Sequence, residues 1–401
     1  MNDLPTDGAE RPSCGEWFNA VVHTAACARR TTLGGELTTI LRRNDYTLTD
    51  EQDQLVAMLR ELFTEHSPVE VVRAAEPLGF DPQLWGTVQR NGLLTISIPE
   101  SAGGDGGGLV ELALTGFEVG RAAAPVPLLD HVVTMRALAR LKADGVALPI
   151  DWESALAGDT IVSLAPISSW ELGAELVPSG AVARAVLARR GDALVLMTRG
   201  TNAPQAPNDG CAPVAWWSPD DAEVQTITLL EGASVAEHWD LTHREWRIAT
   251  AASLVGILAI SGEIARAYAV ERQAFGVRIA QFQAISHDLV DMHMDELTSR
   301  NVTLKAAWLT EHEPDFRPEL AAMAMAQATR SVLRSTAAAV HVHGGMGITL
   351  EADVSLFYRK ASAWSLVGGG MRRDLEEIGR AIDRRAAERA QWHQNNELVK
   401  R

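Results

Sequence analysis

The stretch ERQAFGVRIAQFQAISHDLVDM, residues 271–292, decides how the chain is read. Arg272 is followed three residues later by Phe275 and a glycine, and after a short gap an amphipathic run resumes. Two readings compete: an ordinary helix–turn–helix, or a surface between two helices built to hold something. Just upstream, IATAASLVGILAISGEIARAYAV (248–270) places Leu254, Leu258 and Ala265 near one stripe and is apolar nearly all round its first half. A helix of that kind is buried in a bundle. Downstream, helical spacing runs through 281–312, 315–343 and about 371–392.

Further upstream the texture changes twice. LTDEQDQLVAMLRELFTEHS (48–67) reads as a helix with Thr49 as N-cap, acids in its first turn, and Leu55, Met58, Leu59 and Leu62 on one face. LVELALTGFEVGRAAA (109–124) and DHVVTMRALARLKADG (130–145) read as two more helices, separated by PVP at 125–127. Between about 160 and 240, DTIVSLAPI, ARAVLARRGDALVLMTRG and AEVQTITLL are short, β-branched and set apart by Gly, Pro, Asn and Asp, which predicts a small β domain with hairpins. The expected class is α+β, mainly α. An N-terminal helical domain (46–159) precedes the β domain (160–240), a C-terminal helical bundle (241–392) and a short tail (393–401). Residues 1–45 form an extension, a disordered tail or a docked arm.

Composition narrows the function classes. A chain of 401 residues with 46% hydrophobic and 22% charged residues is ordinary for a soluble globular protein. A formal net charge of -16 argues against nucleic acid or an anionic membrane as a general partner, because both need a basic face. It leaves room for an anionic small molecule held by a few placed arginines. Cys14, Cys27 and Cys211 have no metal-ligand spacing and suggest no disulfide framework. The N-terminus lacks the basic and apolar regions of a secretory signal, and AASLVGILAI (251–260) is too short to span a bilayer, so a cytoplasmic location is expected.

Two motifs point to other chemistry and fail on context. SAGGDGGG (101–108) follows the strand-like LLTISI and precedes a helix, but no βαβ unit surrounds it, so a tight connection between helices is the better reading than a dinucleotide loop. His287, Asp291 and His293 do not share one helix face, and His341 and His343 point to different faces, so no metal site is expected.

The order helical–β–helical, the loop IPESAGGDGGG, the segment ERQAFGVRIAQFQAIS and the later AVHVHGGMGITLEADVSLFYRKA (339–361) together resemble the acyl-CoA dehydrogenases, over about residues 46–392. The resemblance implies FAD, held extended at a subunit interface. Arg272 and Phe275 of the RxxFG motif, with Gln283 nearby, would reach the diphosphate and adenine of a neighbour's FAD, and Gly344, Gly345 and Gly347 would let backbone approach it. A guanidinium suits a diphosphate because its donors form a fixed, permanently charged fork. The resemblance further implies an acyl-CoA or acyl-carrier thioester as substrate, a homo- or hetero-oligomer (tetramer or dimer of dimers), and electron-transfer flavoprotein or oxygen as reoxidant.

The departures from that family carry as much information. Its members abstract a proton α to the thioester carbonyl with a glutamate. In YRKASAWSLVGGGMRR (358–373) the position of that base falls on Gly368, and supporting positions fall on Gly370 and Arg372. In the family's second solution the glutamate opens the long helix immediately before an arginine. Arg247 matches that arginine, but the base position falls on Trp246, and Glu245 lies one residue back. Glu245 is therefore a candidate base only if the helix start is irregular; otherwise it is a solvated or capping carboxylate. Arg247 would favour an ionised neighbour or anchor the helix start. The β domain reads VSLAPISS (162–169) and ELVPSGAVARAVLARR (175–190) where ring-holding segments are expected, and Trp216 and Trp217 lie too far along to match. Three functional readings follow: a subunit whose partner supplies the base and the ring contacts, a homo-oligomeric flavoenzyme acting on a carrier-bound or non-acyl substrate, or a non-catalytic assembly subunit of the same fold.

Overall fold

A computed structural model of the chain describes residues 46–168, 170 and 172–399. The expected extension over 1–45 lies outside the described residues. The N-terminal helices are α1 (Asp50–His66), α2 (Val69–Ala74), α3 (Pro82–Arg90), α4 (Leu109–Arg121), α5 (Leu128–Ala143) and α6 (Trp152–Leu156). Thr49 caps α1 in a reciprocal box: its side chain accepts from the Gln52 amide, and the Gln52 side chain accepts from the Thr49 amide. Two of the orphan donors of the first turn are thereby satisfied.

Strands occupy the middle: β1 (Val162–Leu164), β2 (Glu175–Val177), β3 (Ala185–Arg190), β4 (Ala193–Arg199), β5 (Ala215–Trp217) and β6 (Val224–Glu231). One sheet runs β1-β3-β4-β6, with β1 parallel to β3 and the other pairs antiparallel; β2 and β5 form a separate antiparallel pair. The segment LLTISI is not a strand. The chain turns there, burying Leu93, Leu94, Ile96 and Ile98, and the glycine loop folds back onto it. A Cβ on Gly104 would stand 2.3 Å from the Ile98 carbonyl oxygen, and one on Gly107 2.3 Å from that of Ile96. The loop is glycine-rich because two backbones touch, which is the tight connection expected.

The C-terminal bundle contains α7 (Ser234–Glu271), α8 (Gln283–His312), α9 (Leu320–His343), α10 (Asp353–Leu366) and α11 (Met371–Val399). Helix α7 is the central beam, packing on α4, α5, α8, α9 and α10. It packs backbone to backbone on α4: a Cβ on Gly120 would lie 1.8 Å from the Ser253 carbonyl oxygen, and one on Gly256 2.1 Å from that of Phe117. By length and composition α7 could cross a membrane, but 67% of its most apolar window is buried inside the protein, and core packing accounts for that composition. The tail expected from 393 continues as helix to Val399.

Candidate functional site

The opening stretch is neither a plain turn nor a continuous helix. Helix α7 stops at Glu271, and the chain makes a two-residue hairpin between β7 (Gln273–Ala274) and β8 (Val277–Arg278) before a 3₁₀ turn leads into α8. Phe275 and Gly276 occupy the hairpin tip with φ of 53° and 81°. Left-handed backbone is unfavourable for a bulky residue and natural for glycine. Phe275 is nonetheless 96% exposed, with Phe282 edge-on to its ring at 6.3 Å between centroids. A strained residue carrying an unburied aromatic ring is the kind of outlier that marks a binding surface. Arg272 is exposed at the same hairpin, with no carboxylate partner among the described residues. Gln283 begins α8, also exposed.

The glycine turn lies beside this hairpin. Tyr268, whose carbonyl accepts from the Arg272 amide at 2.8 Å, stacks on His343 at 4.3 Å between ring centroids. His343 ends α9 and leads directly into Gly344 and Gly345. Both glycines are exposed, and a Cβ on either would meet nothing within 4 Å. Gly344 also has a φ of 63°. Met346 and Ile348 in this turn are exposed, as are Phe275 and Val277 in the hairpin. These residues fit half of an extended dinucleotide: an unpaired guanidinium for a diphosphate, an aromatic face for a base, and an open glycine cradle.

The positions where a proton-abstracting carboxylate is expected tell the opposite story. Gly368, with a φ of 82°, lies against the indole of Trp246, and a Cβ there would stand 2.3 Å from Cη2 of the ring. Trp246 itself is 3% exposed. Glu245 lies well inside α7, whose first turn is eleven residues earlier at Ser234, so the helix is regular there and Glu245 points about 100° away from Trp246. It is neither solvated nor capping. It is buried, and its Oε1 accepts from Arg136 Nη2 at 3.0 Å and Arg140 Nη1 at 2.8 Å, both on α5. Burial opposes its ionisation, but the two guanidiniums prevail and hold its carboxyl below the usual range. Arg247 is also buried, pairing with Asp374 at 2.8 Å and Glu377 at 2.6 Å, so it fastens α11 to the beam. Burial raises Asp374 to about 6 despite that arginine.

A cavity of about 100 Å³ lies where the three parts of the chain meet. The α4–α5 connection, the Pro178–Ser179 turn, the Cys211–Val214 loop, α7 and α10 all border it, and among the described residues Asp130 is its only carboxylate. Ser179 Oγ donates to Asp130 Oδ2, and Trp246 Nε1 donates to Asp130 Oδ1 at 3.2 Å. Asp130 has no distinction in the sequence, since an acid in the first turn of a helix is commonplace. Trp217, distant in sequence from the Pro178–Ser179 turn, donates to the Gly180 carbonyl at 3.0 Å and packs beneath it.

A bundle, a small sheet domain and an exposed hairpin next to a glycine turn define an acyl-CoA dehydrogenase-type flavoprotein. The chain matches the acyl-CoA dehydrogenase N-terminal domain over residues 49–145 and the C-terminal domain over 232–382, and it belongs to that family. It is 27% identical to the acyl-CoA dehydrogenase IpdE2 of Mycolicibacterium smegmatis, across 82% of this chain and 98% of that one. The IpdE2 of Mycobacterium tuberculosis is 29% identical, across 78% and 91%. Among solved structures, the Tcur3481-Tcur3483 steroid acyl-CoA dehydrogenase G363A variant superposes with a TM-score of 0.74 at 25% identity, covering 85% of this chain and all of that one. The ChsE4-ChsE5 complex of Mycobacterium tuberculosis superposes with a TM-score of 0.71 at 26% identity, covering 84% and 99%.

Proposed function

We propose that the chain is one subunit of a hetero-oligomeric acyl-CoA dehydrogenase that oxidises an acyl thioester across its α,β bond, and that a partner subunit supplies the base and the ring-side flavin contacts. The observation that carries this reading is the contact between Trp246 and Gly368. Both positions where the family keeps its glutamate are occupied by groups that cannot take a proton, and the two groups fill each other's space. The half that faces a neighbour's cofactor stays open at Arg272, Phe275, Gln283, Gly344 and Gly345. In this reading the Arg272 guanidinium holds the diphosphate, Phe275 covers the adenine, and the glycine turn admits the chain of the dinucleotide. FAD bound there supplies the acceptor for the β-hydride. Two of the solved relatives are named as pairs of proteins, which agrees with a paired assembly. Glu245 and Arg247 serve in this scheme as ion pairs that set the position of α7.

The substrate is an acyl-CoA or acyl-carrier thioester, electron-transfer flavoprotein is the expected acceptor, and the cytoplasm is the expected location. The test is an absorption spectrum of the chain purified alone, after FAD addition and desalting, and again after co-expression with an acyl-CoA dehydrogenase paralogue from the same genome. A colourless chain that becomes a yellow, thioester-oxidising pair supports the proposal. A yellow chain that alone oxidises a thioester overturns it.

A further inference from the structure

The glycine turn of the half-site is pinned from two sides, and one of them belongs to a distant part of the chain. Gly344 and Gly345 have no side chain to lock them, and glycine has the freest backbone of any residue. A cradle made of them takes its position from its flanks. The inner flank is rigid: His343 stacks on Tyr268, and Gly347 packs so closely on α9 that a Cβ there would lie 2.5 Å from the Val340 carbonyl oxygen. The outer flank, 348–352, has little packing of its own, and Ile348 and Leu350 are both exposed. Its backbone bonds are local: the Thr349 amide donates to the Met346 carbonyl at 3.2 Å, and the Ala352 amide to the Thr349 carbonyl at 3.3 Å. Among the described residues, the hydrogen bonds that tie this flank to the N-terminal domain come from one side chain, Arg73 of α2.

Arg73 closes a fork over three acceptors of this short segment. Its Nη1 donates to the Leu350 carbonyl, and its Nη2 donates to the Glu351 carbonyl at 3.3 Å and to Asp353 Oδ1, at the start of α10, at 3.1 Å. The adjacent Val72 is fully buried, so the helix that carries the guanidinium is itself anchored in the N-terminal core. As a source of stability a partly exposed Arg–Asp pair contributes little. Its geometry does more. Two successive carbonyls and a carboxylate reach one planar group together only when the chain between the glycine turn and α10 keeps a single path. We propose that Arg73 is a positioning residue for the cofactor half-site. By fixing residues 350–353 it sets where Gly344 and Gly345 stand relative to Arg272 and Phe275, so the N-terminal domain governs flavin retention without touching the flavin. The inference rests on the half-site reading above and adds to it a residue that no motif of the half-site contains. A binding constellation loses affinity when its supporting groups let it drift by about an ångström.

Two measurements test the assignment. Hydrogen–deuterium exchange on the full chain alone, without flavin or partner, reads the clamp. Arg73→Ala is expected to speed exchange of the 346–352 amides by about fivefold or more and to leave the 272–278 hairpin unchanged. Unchanged exchange at 346–352 overturns the proposal. Titration with FAD reads the consequence, in the flavin-depleted assembly or in the chain itself where that alone holds flavin. The dissociation constant is expected to rise about threefold to tenfold in Arg73→Ala, with thioester oxidation at saturating FAD returning to the native rate. A lower melting temperature with an unchanged dissociation constant would make Arg73 a structural tie alone and overturns the proposal. Arg73→Lys keeps a charge for Asp353 but cannot span three acceptors, so it is expected to fall between the two; full recovery in it overturns the role of the fork. Arg272→Ala, titrated in parallel, separates the two possible failures. Flavin lost in Arg272→Ala and held in Arg73→Ala sinks the positioning role and leaves the half-site standing, whereas flavin held in both sinks the half-site as well.

Discussion

Trp246 and Gly368 are in contact across 122 residues of sequence, and each occupies the space a catalytic carboxylate would need at the other. A side chain at 368 meets the indole at 2.3 Å and must also adopt a φ of 82°. Gly368→Glu alone is therefore expected to destabilise the chain by at least ~2 kcal/mol, combining overpacking with left-handed strain. Trp246→Thr removes the obstruction. In a double-mutant cycle followed by urea unfolding, the two substitutions should couple favourably by about 1 kcal/mol or more. Strict additivity would show that the indole is not what excludes a side chain from 368.

Glu245 was the one acid near the second base position, and the structure gives it a different partner set. Its Oε1 takes bonds from two arginines, while its Oε2, also buried, has no hydrogen-bond partner among the described residues. Arg136 keeps a second contact with Glu311 at 3.3 Å, but Arg140 has no other carboxylate among the described residues. Breaking a buried pair by removing one member costs about 3–5 kcal/mol, so Glu245→Gln is expected to lose at least the lower figure. The folded pKa lies below the unfolded one. The stabilisation is therefore present above the unfolded value and disappears as pH falls through the folded one. Urea midpoints of the native chain and Glu245→Gln should converge below about pH 4. Unchanged stability with lost turnover in the assembled enzyme would instead make Glu245 the base.

Much of the architecture was legible because it rests on local pattern. The Thr49 cap, the apolar stripe of α1 and the β-branched run over 162–231 each specify their element without long-range help. LLTISI misled because a short alternating run can be buried without entering a sheet; here Ile96 and Ile98 are covered by a glycine loop and not by a neighbouring strand. The exposed half of the site was also legible, since Arg272, Phe275 and the glycine turn are contiguous motifs. The buried half was not. Asp130 acquires its meaning only when folding brings Ser179 from 49 residues away and Trp246 from 116. Nothing in DHVVTMRALAR marks that carboxyl apart from an ordinary acid at a helix start.

Asp374 gives a pH test of the α7–α11 junction. Its folded pKa is raised from 3.8 to about 6, so its ionised form is disfavoured in the native state even though Arg247 lies 2.8 Å away. A carboxyl raised on folding stabilises fully below its unfolded pKa, and that contribution is lost as pH rises through the folded value. A shift of about two units corresponds to at most about 3 kcal/mol between pH 3.8 and 6. Asp374→Asn should flatten the stability profile across that window, with Glu377 still holding Arg247 at 2.6 Å. A profile that keeps its slope in the variant would place the titration elsewhere.

The hairpin tip separates binding from folding most sharply, because the two predict opposite signs. Phe275 is 96% exposed at a φ of 53°, so it contributes little packing and carries backbone strain. Glycine adopts that conformation without penalty, although it also enlarges the unfolded ensemble. Phe275→Gly is therefore expected to leave the melting temperature of the isolated chain unchanged or slightly raised. Arg272→Ala, which removes an exposed guanidinium, should shift stability by no more than about 0.5 kcal/mol. In the flavin-bearing assembly both should weaken FAD retention, Arg272→Ala by about 10-fold to 100-fold for the loss of charge-assisted bonds to a diphosphate. The measurement is the ratio of flavin absorbance to protein after dialysis of matched assemblies. Full flavin retention in both variants would mean that the exposed ring and the unpaired arginine serve contacts between proteins, and the strain at Phe275 would then belong to that interface.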